Sequence, residues 1–161
     1  MPSGPRTTPS STLSSTLPKL KLPSLNESPG ALAAATDQRE QLRLFAEDIV
    51  VRLERAAPLV AVVAGASRSD AELGELLRTL HADRLRNLGH LVDALAANGP
   101  LALGTEEAVE TVWAVTSPEL HQLLTRVRGW TRRRYCDWLS GTLAALLLPE
   151  AWRFAQMDLA G

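Results

Sequence analysis

The chain has 161 residues, a formal net charge of −1, 45% apolar residues and a single cysteine, Cys136. That length fits one domain, alone or with a tail, and a near-neutral charge gives no general attraction to nucleic acid or anionic membranes. One thiol excludes an internal disulfide framework and a thiolate metal cluster, and no run approaches the ~18 consecutive apolar residues of a membrane span.

Residues 1 to about 30 are rich in Ser, Thr and Pro, with no acid before Glu27. Such a segment buries too little apolar surface to offset its ordering entropy, so a disordered tail is expected. The expected boundaries are a tail over 1–34, a folded domain over 35–149 and a C-terminal tail over 150–161. The Leu20 to Leu25 stretch is too short and too broken by proline for a secretory signal, and a cytoplasmic location is expected.

From Ala31 onward the pattern is helical. Asp37 and Glu40 form a capping-box-like start, and Leu42, Phe45, Ile49, Leu53 and Ala56 recur at three- and four-residue steps on one helix face. Pro58 is expected to bend the chain or begin a new segment leading to Val63. Gly65 to Ser69 reads as a loop, with Ser69 or Asp70 capping a long helix. Its stripe of Leu73, Leu77, Leu80, Leu88, Leu91 and Leu95 runs until Asn98-Gly99-Pro100 stops it. Thr105 is expected to cap the next helix, with Glu106 and Glu107 in its positive first turn. Ser117 as cap and Pro118 at the first helical position open a shorter helix to about Val127. Gly129 then offers a stop, and Thr131 caps a final helix from about Arg132 to Leu148. No segment alternates with period two, so the expected fold is all-α, a bundle of five to six helices without a sheet.

The final helix is apolar on two sides, with Tyr135, Leu139, Thr142, Leu143 and Leu146 on one face. Gly141, Ala145 and Leu148, beside Trp138, form the other. A helix apolar on two sides is buried on two sides, and a domain of this size rarely encloses its terminal helix fully, so the second face is expected to meet another subunit. A central helix of a monomeric bundle is the plainer alternative.

Few residues suit chemistry. His81 and His90 point to opposite sides of one helix and cannot share a metal; His121 stands alone, and no metal or other cofactor is expected. No paired acids, activated nucleophile or glycine-rich phosphate loop is present, so catalysis is not expected. Arg84 occupies an apolar slot between Leu80 and Leu88, and His81 continues a stripe with Leu77 and Leu85. Both fit polar anchors in the wall of a small-molecule pocket; for Arg84, snorkelling at the stripe's edge or an ion pair is the alternative. Arg126, Arg128, Arg132, Arg133 and Arg134 read as a solvated corner, since no groove-reading helix or aromatic pattern accompanies them.

Three stretches carry a family resemblance: Leu95-Ala-Ala-Asn-Gly-Pro-Leu, Trp113 to Leu124, and Gly129-Trp130 with Tyr135 and Trp138-Leu139. From about Asp37 to Pro149 the chain resembles the C-terminal regulatory domain of tetracycline-repressor (TetR) family regulators. The resemblance implies a ligand-sensing helical domain whose last two helices form a four-helix bundle with those of a second subunit. It implies a cavity for a small hydrophobic effector around Phe45, Leu77, His81, Arg84, Leu88 and Trp113. It also implies a dimer surface that includes Leu120, Leu124, Tyr135, Trp138, Leu139, Gly141, Thr142, Ala145 and Leu146. The family's helix-turn-helix domain has no counterpart before Asp37, so specific DNA binding by this chain alone is not expected. Three functions follow: a homodimeric sensor in transcriptional control, a protein that heterodimerises with an intact TetR-type regulator, or a small-molecule-binding helical protein or enzyme outside transcription.

Overall fold

Helix α1 (Gly30–Ala34) opens the structure, a computed structural model that describes residues 30–149. Its Leu32 joins the hydrophobic core, so the folded part starts within the segment assigned to the tail. The expected disorder of residues 1–29 and the C-terminal tail over 150–161 lie outside the described residues. Among those described there is no strand.

Helix α2 (Gln38–Ala66) is N-capped by Asp37, whose carboxylate accepts from the Glu40 N–H at 2.8 Å. Its solvent face carries ion pairs at helical spacing, Arg43 with Glu40 and Glu47. The opposite face buries Leu42, Phe45, Ala46, Ile49, Val50 and Leu53. The helix continues through Pro58, where the sequence led us to expect a bend or a new segment. A proline in a helix interior forfeits the amide bond to the carbonyl four residues back, here that of Glu54. Buried Ala57 and Val63 on either side hold the axis together across this gap.

Asp70 caps α3 (Ala71–Asn98), accepting from the Glu72 and Leu73 N–H groups. The stripe of α3 is covered unevenly: Arg84, Leu88, Leu91, Val92 and Leu95 are buried, whereas Leu73, Leu77 and Leu80 are half-buried. The reason is length. Helix α4 (Thr105–Val115) has 11 residues against the 28 of α3 and cannot cover all of it. The far ends of α2 and α3 therefore protrude as a hairpin with Leu59, Val62, Leu76 and Leu85 exposed.

The turn after Asn98 is tied down from both sides. Gln38 Nε2 donates to the Leu95 carbonyl at 2.9 Å, and the Ala102 N–H donates to the Leu147 carbonyl at 2.8 Å. Thr105 does not cap α4 as expected: Gly104 holds the cap position with no side-chain bond, and Thr105 is the first helical residue.

Ser117 caps α5 (Pro118–Gln122), its hydroxyl accepting from the Leu120 N–H at 3.2 Å. The expected uniform helix to Val127 instead widens into a π-helical segment, Leu123–Val127. The Arg128 N–H closes it on the Leu123 carbonyl at 3.0 Å, and Gly129 turns the chain with φ +68°, a conformation open mainly to glycine. Thr131 then caps α6 (Arg132–Leu147), accepting from the Arg134 N–H.

Helix α6 packs chiefly on α2 and also on α4. Tyr135, Leu139, Leu143 and Leu147 have no exposed surface and form the centre of the core with Leu42, Leu95 and Val112. No helix among the described residues is long and apolar enough to cross a membrane.

Candidate functional site

Arg84 enters the interior from α3 and is only 8% exposed. Its Nη2 donates to the Trp113 carbonyl and, at 2.8 Å, to the Thr116 hydroxyl. Thr116, with no exposed surface, donates in turn to the Val112 carbonyl at 2.7 Å. Both carbonyls belong to the last turn of α4; that of Val112 also accepts the Thr116 amide at 3.0 Å, and at that of Trp113 the guanidinium supplies a donor where the dipole favours a cation. The guanidinium thus closes the C-terminus of α4. Neither snorkelling nor an ion pair describes it: among the described residues no carboxylate bridges to it, and burial brings its pKa down to about 10. It remains charged at neutral pH.

Two of its nitrogens, Nε and Nη1, are buried without a hydrogen-bond partner among the described residues, as is the Trp113 indole Nε1. The Arg84 guanidinium carbon lies 5.2 Å from the centre of the Trp113 ring, and His81 meets the same ring edge-on at 5.7 Å. Three of the six residues expected to line a ligand cavity are thereby brought together. Phe45 and Leu88 belong to the hydrophobic core, and Leu77 lies half-buried one turn before His81.

A second polar locus centres on α5. His121 is 5% exposed, and both ring nitrogens lack a partner among the described residues. Its ring packs edge-on against Tyr135 at 4.9 Å. Burial holds the imidazole below its ordinary range; the Glu54 carboxylate acts against that shift and Arg126 adds to it. The Tyr135 hydroxyl is likewise buried without a partner, and burial pushes its pKa up to about 12.

His121 forms part of the wall of a pocket of ≈ 240 Å³, with Glu54, Ala57, Pro58, Gln122, Thr125, Arg126, Trp130 and Arg132. Arg132 clamps Glu54 through two nitrogens, Nε at 2.8 Å and Nη2, which holds the carboxyl below the usual carboxylate range. Arg134 covers one face of Trp130 at 4.4 Å. All five arginines of the basic corner are exposed; Arg132 pairs with Glu54, and Arg133 approaches Asp137 at 3.8 Å. None of the expected ligand residues lines this pocket. It forms where α2, α5, the π segment and α6 meet, and neither spacing nor periodicity could have located it.

The expected dimer residues divide in two. Tyr135 and Leu139 lie in the protomer's own core and cannot meet a second subunit. Their slots are filled by α2 and α4, which already enclose that side of α6. Gly141 and Ala145 are exposed, and Leu120, Leu124, Trp138, Thr142 and Leu146 are half-buried. Leu123 and Val127 on the π segment, 51% and 73% exposed, were not anticipated. The outer side of α5, the π segment and α6 is thus a largely apolar surface that no element of the described residues covers.

Among the described residues no group of three or more His, Cys, Asp or Glu side chains is placed to hold a metal ion. Set against protein-family models, curated proteins and solved structures, the chain matches none of them.

Proposed function

We propose that this chain is a small-ligand-sensing and dimerisation domain acting in transcriptional control, of the kind its sequence resembles in tetracycline-repressor-like regulators. The observation that carries the reading is Arg84. A buried cation with two donors that no described residue partners, set beside an indole N–H in the same condition, is costly unless something polar completes it. An apolar effector with one polar head, entering between α3 and α4 beside Trp113, would do so. Binding there would act on the C-terminus of α4 and, through the short Ser117 turn, on α5 and α6. The apolar outer side of those elements is the surface on which a second copy would pack.

A reporter assay tests this directly. The chain is fused behind a DNA-binding domain that represses only when dimerised. Repression is expected from the fusion, and its loss when Ala145→Arg places an unpaired charge on the outer face of α6. A soluble, expressed fusion that fails to repress would contradict the reading.

A further inference from the structure

We infer that the pocket between α2, α5, the π segment and α6 is a binding site for a small planar monocarboxylate, separate from the locus around Arg84. The volume is the first constraint. At ≈ 240 Å³ the pocket falls below the ~300–1,000 Å³ of drug-sized sites, which leaves room for one ring with a short substituent.

Charge is the second. Glu54 is neutralised by Arg132, while Arg126 has no ion pair among the described residues, so the walls carry a net positive charge. A single carboxylate balances it; a dianion would leave one charge uncompensated in a partly desolvated site.

Hydrogen bonding is the third. His121 lines the pocket but both of its ring nitrogens are closed off from it, so it contributes wall, and the Arg126 guanidinium is the charged donor free to serve a ligand. Its bond to one carboxylate would be charge-assisted. The remaining wall selects shape. Pro58 and the indole of Trp130 are flat apolar surfaces against which a ring packs. Arg134 already occupies one face of that indole, and this fixes its orientation.

Benzoate and benzamide, which differ in charge but hardly in shape, are the probes. Titration calorimetry on the full chain is expected to give a Kd for benzoate of roughly 1 mM or tighter, and binding at least ~tenfold weaker for benzamide. Arg126 is exposed, so Arg126→Gln leaves the fold intact; it is expected to weaken benzoate at least ~tenfold. Arg84→Lys should leave benzoate affinity unchanged, which separates this site from the one proposed above. The ring resonances of His121, identified by their loss in His121→Gln, should shift with benzoate. Equal affinities for the two probes, unaltered binding in Arg126→Gln, or no benzoate binding up to about 10 mM would each overturn the inference.

Discussion

Arg84 and His121 are two described side chains whose polarity contradicts their position. The Arg84 charge survives because Nη2 serves the α4 carboxyl end, a use its place in an apolar stripe could not reveal. The stripe identified the anomaly, and the partner came from α4, far away in sequence. His121, a lone histidine on a short helix, carries no pattern in the sequence. Its importance comes from burial against Tyr135, which only tertiary packing creates. A pH dependence follows from that burial. The folded imidazole titrates below its ordinary value, so the unfolded chain binds the proton first as pH falls. Stability is therefore complete above the ordinary histidine range and declines through it. Glu54, held down by Arg132, adds a further loss at lower pH, in the carboxylate range. The melting temperature should fall between about pH 7 and pH 5, and less so in His121→Phe, which has nothing to protonate. An equal fall in both proteins would mean that other groups carry the acid sensitivity.

Among the elements, those with a chemical stop or start were legible. Asp37, Ser117 and Thr131 each cap the helix expected of them, and of the two candidates for α3, Ser69 and Asp70, it is Asp70, because a short side-chain oxygen before an apolar-periodic run satisfies the orphan amides wherever the helix then packs. Features set by tertiary context were not. The π widening at Leu123–Val127 has no sequence signature, and α2 overrides its proline because packing on both sides outweighs one lost bond. That override has a measurable consequence. Pro58→Ala restores an amide donor to the Glu54 carbonyl and should stabilise the fold by roughly 1–3 kcal/mol, read from the urea midpoint. Destabilisation would indicate that the proline ring itself supports the pocket wall. The coverage of α3 follows the same logic. Its leucine stripe announces an apolar face but cannot say where the neighbouring helix ends, and α4 ends too soon to bury Leu73, Leu77 and Leu80.

At the scale of the whole molecule, the all-helical fold was legible from period alone, while the division of α6 between core and surface was not. Both of its faces are apolar, and periodicity does not distinguish the face that meets α2 from the one left uncovered. The structure makes that distinction, placing Tyr135, Leu139, Leu143 and Leu147 in the core with Trp138 half-buried at its edge, and leaving Gly141 and Ala145 exposed. The two faces should therefore respond differently to the same substitution. Leu139→Arg drives a charge into a fully buried slot and should abolish folding, whereas Ala145→Arg should leave helicity intact and affect association alone. The account rests on that outer face being a subunit surface, and light scattering on a size-exclusion column tests it most directly. At about 10 µM the parent protein should elute with the mass of a dimer and Ala145→Arg as a folded monomer. A monomeric parent, or a dimer indifferent to Ala145→Arg, would contradict it.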